Sequence, residues 1–85
     1  MIITSKTPKL DLHGEKSSMV EVLVNDFINL NVLLKNDGVI IIHGKSTNIL
    51  TKEVHNVLKN NHQVKKFYLD NWNLGQTIVE LKNNS

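Results

Sequence analysis

The sequence predicts an α/β fold, a two-layer βαβαββ sandwich with a four-stranded mixed sheet and two helices. Two observations support this prediction. An apolar run twice ends in His-Gly and passes into a segment with helical periodicity, and a turn-rich stretch then joins two further strand-like segments. The 85 residues allow one domain. We expect a tail over residues 1–8, the domain over 9–82 and a second tail over 83–85.

The first strand and first helix follow from a change of periodicity. Residues 9–13 alternate polar and apolar after Pro8, which cannot donate a backbone hydrogen bond. From about Ser17 the apolar residues recur every three or four positions, which predicts a long amphipathic helix. Ser18 and Glu21 fit a capping box, although Ser17 is an equally good cap, and Gly38 suits the left-handed residue that closes a helix. The expected apolar stripe consists of Met19, Leu23, Phe27, Leu30 and Leu34, widened by Val20, Val24 and Ile28.

The second half of the chain repeats the alternation of strand and helix. The β-branched run Val39 to Ile42 predicts a strand that is buried on both faces or central in the sheet. Helical spacing extends over residues 47–60, and strand patterns cover 64–69 and 76–81. The two helical crossovers are long enough for parallel connections, whereas the turn-rich residues 70–75 suit a hairpin.

Composition excludes several classes of protein. The apolar fraction of 40% and charged fraction of 21% are those of an ordinary globular domain, and no apolar stretch is long enough to span a membrane. The start lacks a leader pattern, so we expect a cytoplasmic location. Without cysteine there are no disulfides or thiolate metal sites. The net charge of +2 permits nucleic-acid binding without requiring it.

The two His-Gly pairs predict a functional site. If their strands are parallel neighbours, His13 and His43 lie at the same end of the sheet, where α/β folds bind ligands. Asp11 shares a strand face with His13, and a carboxylate beside an imidazole fixes one ring tautomer. We therefore expect Asp11, His13 and His43 to be the catalytic residues.

A phosphate is the ligand that this site favours. Two glycines permit tight turns and close approach of a ligand, and three polar residues follow at a helix N-terminus. Two lysines beside aromatic residues form a second basic strip. Because the chain has no arginine, phosphate contacts fall to lysine, imidazole or backbone N–H groups. The expected phosphate or nucleic-acid contacts are Gly14, Gly44, Lys45, Ser46, Thr47, Lys65 and Lys66.

Simpler structural interpretations remain open for these residues. Asp11 can cap a helix or pair with a lysine, and His13 can be a polar strand end. His55 and His62 fit solvated positions on the polar side of the second helix or just after it. Trp72 either stacks on a base or covers the end of the sheet, and we favour the second interpretation.

Two other kinds of site are disfavoured. A nucleotide-binding P-loop needs a glycine five residues before Gly44-Lys45, where this chain has Val39. A metal site is also not expected, because Asp11, His13 and His43 are imperfectly spaced and no second cluster accompanies them. We expect no cofactor.

Several sequence blocks resemble the small MutS-related (Smr) domain family over most of the chain. They are Leu10 to Gly14, Ile41 to Lys45 followed by Leu50, Val64 to Phe67, and Gly75 to Leu81. The resemblance implies a βαβαββ domain that binds nucleic acid and often nicks DNA or cleaves RNA. It also implies a functional role for Asp11 and His13, and for His43, Gly44 and Lys45. Ser46 and Asn48 stand where the family usually has glycine.

Two functions are therefore considered. The first is an endonuclease that cleaves RNA or nicks DNA by histidine-based, metal-independent acid–base chemistry. The second is a non-catalytic module that binds nucleic acid or the ribosome through the same site. The expected partners are RNA or DNA, and a ribosome or larger MutS-like protein, with no membrane involved.

Overall fold

The computed structural model describes residues 1–45 and 48–82, which form one sheet and two helices. None of the helices in these described residues is both long and apolar enough to cross a membrane. The predicted βαβαββ order is confirmed. The elements are β1 (Lys9–Asp11), α1 (Ser17–Leu33), β2 (Gly38–Ile42), α2 (Asn48–Lys59), β3 (Val64–Asp70) and β4 (Asn73–Leu81).

The sheet is mixed, with the strand order β1-β2-β4-β3. Strands β1 and β2 are parallel neighbours, as predicted, and β4 is antiparallel to both β2 and β3. Strand β4 thus lies between β2 and β3. As a result, the carboxyl ends of β1, β2 and β3 and the beginning of β4 all lie at one end of the sheet, which we call the loop end.

The pairing of the last two strands extends further into the connecting segment than the sequence predicted. Residues 70–75 were expected to form a loop, but Asp70 pairs with Asn73, so that only Asn71 and Trp72 remain between the strands. The register shifts between Leu69 and Asp70. Backbone pairing in a hairpin thus extends through polar residues that are poor strand formers by themselves.

The core lies between the helices and one face of the sheet. Val39, Ile40 and Ile41 of β2 are each at most 1% exposed, which confirms that this strand is buried on both faces. Thr77 is the fully buried polar residue of β4. The main cluster is formed by buried aliphatic residues from β2, β3, β4, both helices and the position after β1: Leu12, Val20, Val24, Ile28, Val39, Ile41, Val54, Val57, Leu58, Val64, Val79 and Leu81.

The buried face of α1 differs from the predicted stripe. The stripe is confirmed in part: Val20, Val24 and Ile28 are fully buried, and Leu23 and Phe27 pack against the core while partly exposed. Met19, Leu30 and Leu34, in contrast, are 42%, 52% and 62% exposed, and the buried face is completed by Asn31. Because apolar residues occur around most of this helix, its periodicity is compatible with either of two adjacent faces being buried. Where α1 packs against α2 and the sheet, the face with smaller, mainly β-branched side chains is the one that is buried.

Both ends of α1 also correct the sequence prediction. The N-cap is Lys16 and makes no side-chain capping bond, so the capping box is wrong. At the other end Lys35, and not Gly38, has the left-handed backbone, with φ of 61°. The buried Asn31 side chain donates to the Phe27 carbonyl at 2.9 Å and accepts from the Asn36 amide at 2.8 Å, which fixes this turn.

The assignment of the buried face of α1 can be tested with two substitutions in the same helix. Ile28→Ala is expected to lower the free energy of unfolding by about 2–5 kcal/mol, because it leaves a cavity in the core. Leu33→Ala should change it by less than about 0.5 kcal/mol, since Leu33 is 79% exposed. Urea unfolding followed by circular dichroism measures both. Equal losses in the two variants would contradict this packing.

Candidate active site

Three segments meet at the loop end of the sheet. The carbonyl oxygen of Gly75 accepts hydrogen bonds from the N–H groups of His43 and Gly44, each at 2.9 Å. The position that a Cβ of residue 44 would take lies 3.7 Å from the Cβ of His13. The sequence prediction that the two His-Gly turns lie side by side is therefore confirmed, and β4 supplies a third wall that was not predicted.

The glycines of both turns are required by backbone conformation. Gly14 and Gly44 have φ of 82° and 86°, a left-handed region that other residues rarely adopt. Asn48 begins α2 and is not left-handed, so this position does not require glycine.

Asp11 and His13 form a hydrogen-bonded pair at the surface. The Asp11 Oδ1 atom lies 2.5 Å from His13 Nδ1 and also accepts the His13 backbone N–H at 3.1 Å. The hydrogen bonds from His13, first from its side chain, lower the pKa of the Asp11 carboxyl below its ordinary value. Because an ionised carboxylate only accepts, the shared proton belongs to His13 Nδ1. The neutral ring therefore carries its lone pair on Nε2, the nitrogen available to a ligand.

His43 does not share this surface position. The His13 side chain is 72% exposed, whereas His43 is 3% exposed. The expectation that both imidazoles project into one open pocket is therefore wrong for His43. The physical reason is that β4 and α2 both pack against the end of β2 and enclose the ring that follows it.

Both ring nitrogens of His43 are occupied within the protein. Nδ1 lies 2.8 Å from Thr51 Oγ1 and 3.0 Å from the Gly44 carbonyl oxygen, and Nε2 lies 2.8 Å from Thr77 Oγ1. Since the carbonyl only accepts, the proton is assigned to Nδ1, and Nε2 accepts from the Thr77 hydroxyl. His43 thereby ties the second turn to α2 and β4.

His55 also belongs to this network, which was not expected from the sequence. It was expected to be solvated, but it is half-buried, with Nε2 2.7 Å from Thr77 Oγ1 and its ring centroid 5.1 Å from that of Phe67. Burial, followed by the charge of His43, lowers the pKa of His55. A signal was present, because Thr51, His55 and Leu58 fall on one face of the helix. His62, in contrast, is exposed as expected.

Only some of the residues predicted to contact phosphate lie together at the loop end. Lys45 is exposed at the loop end, with its Cγ 3.3 Å from the position that a Cβ of Gly75 would take. Lys65 and Lys66 lie near the beginning of β3, about 15 Å away along the strand from its loop end. There Lys66 Nζ lies 3.5 Å from a carboxylate oxygen of Glu80. Ser46 and Thr47 fall outside the described residues.

A shallow cleft of about 230 Å³ opens beside Lys45, between the second turn and the β3–β4 hairpin. Its walls are Gly44, Lys45, Asn48, Thr51, Leu69 and Leu74. Trp72, in the turn of the same hairpin, is 98% exposed, so the favoured expectation that it covers the end of the sheet is wrong. Among residues 1–45 and 48–82, no group of three or more His, Asp or Glu side chains is placed to hold a metal ion.

Comparison with known proteins identifies relatives of this domain. The Smr domain family model matches residues 10–82. An endonuclease MutS2 from Ligilactobacillus salivarius is 39% identical over 79 residues, and one from a Geobacillus species is 40% identical over 77 residues. These matches cover 89% and 87% of this chain but 10% of each relative. The chain therefore spans about a tenth of the length of these relatives.

A solved structure has the same fold. The Smr domain of Thermus thermophilus MutS2 superposes with a TM-score of 0.85 at 22% sequence identity. The match covers 89% of this chain and 99% of that domain. The two-layer architecture described above is therefore shared with that domain.

The buried network predicts that the protein loses stability in mild acid. Since the pKa of His55 lies below its ordinary value of 6.5, the unfolded chain binds more protons than the folded chain just below pH 6.5. The free energy of unfolding should therefore fall as the pH decreases from about 6.5 toward the folded-state pKa. Urea unfolding at a series of pH values measures this dependence.

Two histidine variants isolate the contribution of His55 to this pH dependence. His55→Gln should flatten the fall in stability below pH 6.5, whereas His62→Gln, at an exposed position, should leave it unchanged. An unaltered pH dependence in His55→Gln would show that its burial has no such effect.

Proposed function

The chain belongs to the Smr domain family, and from this we propose that it binds nucleic acid and cleaves phosphodiester bonds at His13. The observation that carries the proposal is the Asp11–His13 pair, which presents an oriented imidazole at the loop end, next to the Gly44 turn that also carries Lys45. The relatives named endonuclease MutS2 support a nuclease-related role.

His13 is the proposed general base. With Nδ1–H donated to Asp11, the Nε2 lone pair faces solvent and can take a proton from an attacking hydroxyl. On RNA, the 2′-hydroxyl loses its proton to Nε2 and attacks the adjacent phosphorus. The bond to the 5′-oxygen breaks, and this oxygen takes a proton from a water molecule. The hydroxide that remains takes the proton held on Nε2, which restores both the neutral imidazole and the water. The products are a 2′,3′-cyclic phosphate and a 5′-hydroxyl.

Lys45 is the proposed source of positive charge at the phosphate. Its side chain is exposed at the loop end, one residue after Gly44, whereas the N–H groups of His43 and Gly44 already donate to Gly75. These two N–H groups therefore do not contribute to phosphate binding. An ammonium group near the reacting oxygens stabilises the negative charge that grows in the transition state.

His43 has a different role in this proposal from the one expected from sequence. Because it is enclosed and both nitrogens are hydrogen-bonded, we assign it to holding the second turn in place and not to proton transfer with the substrate. His43 is thus a positioning residue.

A second candidate function is a binding module without catalysis. The observation that favours it is the burial of His43, which leaves His13 as the one exposed imidazole of the two His-Gly turns. A single imidazole transfers a proton on only one side of the phosphate. In this alternative, Lys45 and His13 hold a phosphate, and no bond is cut.

The catalytic proposal predicts a large effect of His13→Ala. Cleavage of a labelled single-stranded RNA should fall by about 100- to 10,000-fold, the usual contribution of a general base, while RNA binding stays nearly unchanged. His62→Ala is the matched control, because His62 is exposed and lies in the segment before β3, away from the loop end. Purifying the wild type and both variants in parallel controls for contaminating nuclease.

The outcomes of this assay separate the candidates. Cleavage that persists in His13→Ala contradicts the catalytic proposal. Binding without any cut ends, in the presence and absence of a chelator, selects the binding module. An RNA with a single 2′-O-methyl group at the cut site should resist cleavage, and the appearance of a 2′,3′-cyclic end identifies 2′-hydroxyl attack. Cleavage of DNA would require water as the nucleophile instead.

The exposed Lys45 at the loop end predicts a salt effect that depends on this side chain. Lys45→Gln should weaken RNA binding and reduce the slope of log K against log salt by about 0.7, the value for one lost contact to a single strand. Lys66→Gln should leave the slope unchanged, because Lys66 lies far from the loop end and faces Glu80. Fluorescence anisotropy at several salt concentrations measures both slopes. Equal changes in the two variants would place the phosphate elsewhere.

A further inference from the structure

We infer that the cleft between the second turn and the β3–β4 hairpin receives one unpaired nucleobase, with Trp72 in the turn of that hairpin as a stacking surface. This inference rests on the proposed function, since the base belongs to the strand whose phosphate lies at His13 and Lys45. It adds a means of recognising single-stranded nucleic acid that is independent of phosphate charge.

The exposure of the hairpin residues is the first observation. Trp72 is 98% exposed and Leu74 is 57% exposed, and both lie within five residues of Leu69, a wall of the cleft that is itself 36% exposed. A solvated indole contributes nothing to the core. Exposed apolar side chains that are grouped beside a cleft mark a binding surface, whereas single scattered ones do not.

The hairpin turn is held in one conformation, which is the second observation. Asp70 accepts the Trp72 backbone N–H at 2.9 Å and the Gln76 side-chain amide at 2.8 Å, and Asn73 accepts the Gly75 N–H at 3.0 Å. The hydrogen bonds from the Trp72 N–H and the Gln76 amide lower the pKa of the Asp70 carboxyl. The carboxylate that accepts them therefore remains ionised. The backbone that carries Trp72 is therefore ordered before any ligand binds, which reduces the entropic cost of stacking.

The chemistry of the cleft fits a base. Leu69 and Leu74 offer apolar walls for the faces of an aromatic ring, while Asn48 and Thr51 offer polar groups for its edge. The volume of 230 Å³ lies below the roughly 300–1,000 Å³ of typical small-molecule sites, so it suits a base without its sugar and phosphate.

The position of the cleft favours nucleic acid over a protein side chain. Lys45 and Gly44 line the cleft, and the Cβ position of Gly44 lies 3.7 Å from the Cβ of His13. A phosphate beside Lys45 therefore places its neighbouring base at the opening. The base must be unpaired, because the faces of bases within a duplex are stacked on one another and closed to an indole.

The single tryptophan of the chain makes the test direct, because its emission reports only on the hairpin turn. The probes are a single-stranded oligonucleotide and an oligomer of the same length in which every nucleotide is abasic. Both carry the same backbone charge. We expect the normal strand to quench and shift the Trp72 emission and to bind more tightly, whereas the abasic strand binds through charge without the spectral change.

Two substitutions complete the experiment. Trp72→Ala should weaken binding of the normal strand by roughly 5- to 150-fold, the range expected from the loss of one stacked base, with little effect on the abasic strand. Tyr68→Ala is the control, because Tyr68 is 44% exposed on β3 and does not line the cleft. Circular dichroism checks that both variants fold.

The outcomes distinguish this inference from the proposed function. If both strands bind equally and leave the Trp72 emission unchanged, the inference fails, the indole is assigned to a protein partner, and phosphate binding stands. If neither strand binds, both proposals fail. A loss in Tyr68→Ala equal to that in Trp72→Ala would also overturn the inference, because it would place the base on the outer part of β3.

Discussion

One backbone oxygen organises the loop end of this domain. The Gly75 carbonyl accepts the N–H groups of His43 and Gly44, and this shared acceptor joins the turn after β2 to the beginning of β4. Because Gly44 in turn lies beside His13, the turn after β1 is fixed with it. The candidate active site and the neighbouring cleft both depend on this junction, since each has walls from more than one of the joined segments.

Below that junction, side-chain hydrogen bonds fix the second turn. The Thr77 hydroxyl lies between the Nε2 atoms of His43 and His55, donating to the first and accepting from the second. The Thr51 hydroxyl forms a hydrogen bond with the other ring nitrogen of His43, Nδ1. Leaving any one of these buried groups without its partner costs about 1–3 kcal/mol, so the network is a strong constraint.

The two His-Gly pairs thus have unlike roles in one site. The first presents its imidazole to solvent with a carboxylate behind it, and the second turns its imidazole inward. The difference arises from position in the sheet. Strand β1 is at the edge and has only β2 beside it, whereas β2 has β4 on its other side and α2 packed nearby. The same His-Gly dipeptide is therefore exposed at the end of the edge strand β1 and enclosed at the end of the central strand β2.

The sequence by itself determined the elements and their order, because helical and strand periodicity, β-branched content and turn residues act locally. It also indicated that the two His-Gly turns lie side by side and that Asp11 stands near His13, but it left open whether these two side chains are hydrogen-bonded. Only the tertiary structure decided the buried face of α1, the burial of His43, the inclusion of His55 and the exposure of Trp72. Each of these depends on the insertion of β4 between β2 and β3 and on the packing of α2. Contacts between residues more than twenty positions apart, such as His55 with Thr77, leave no periodic pattern in a single sequence.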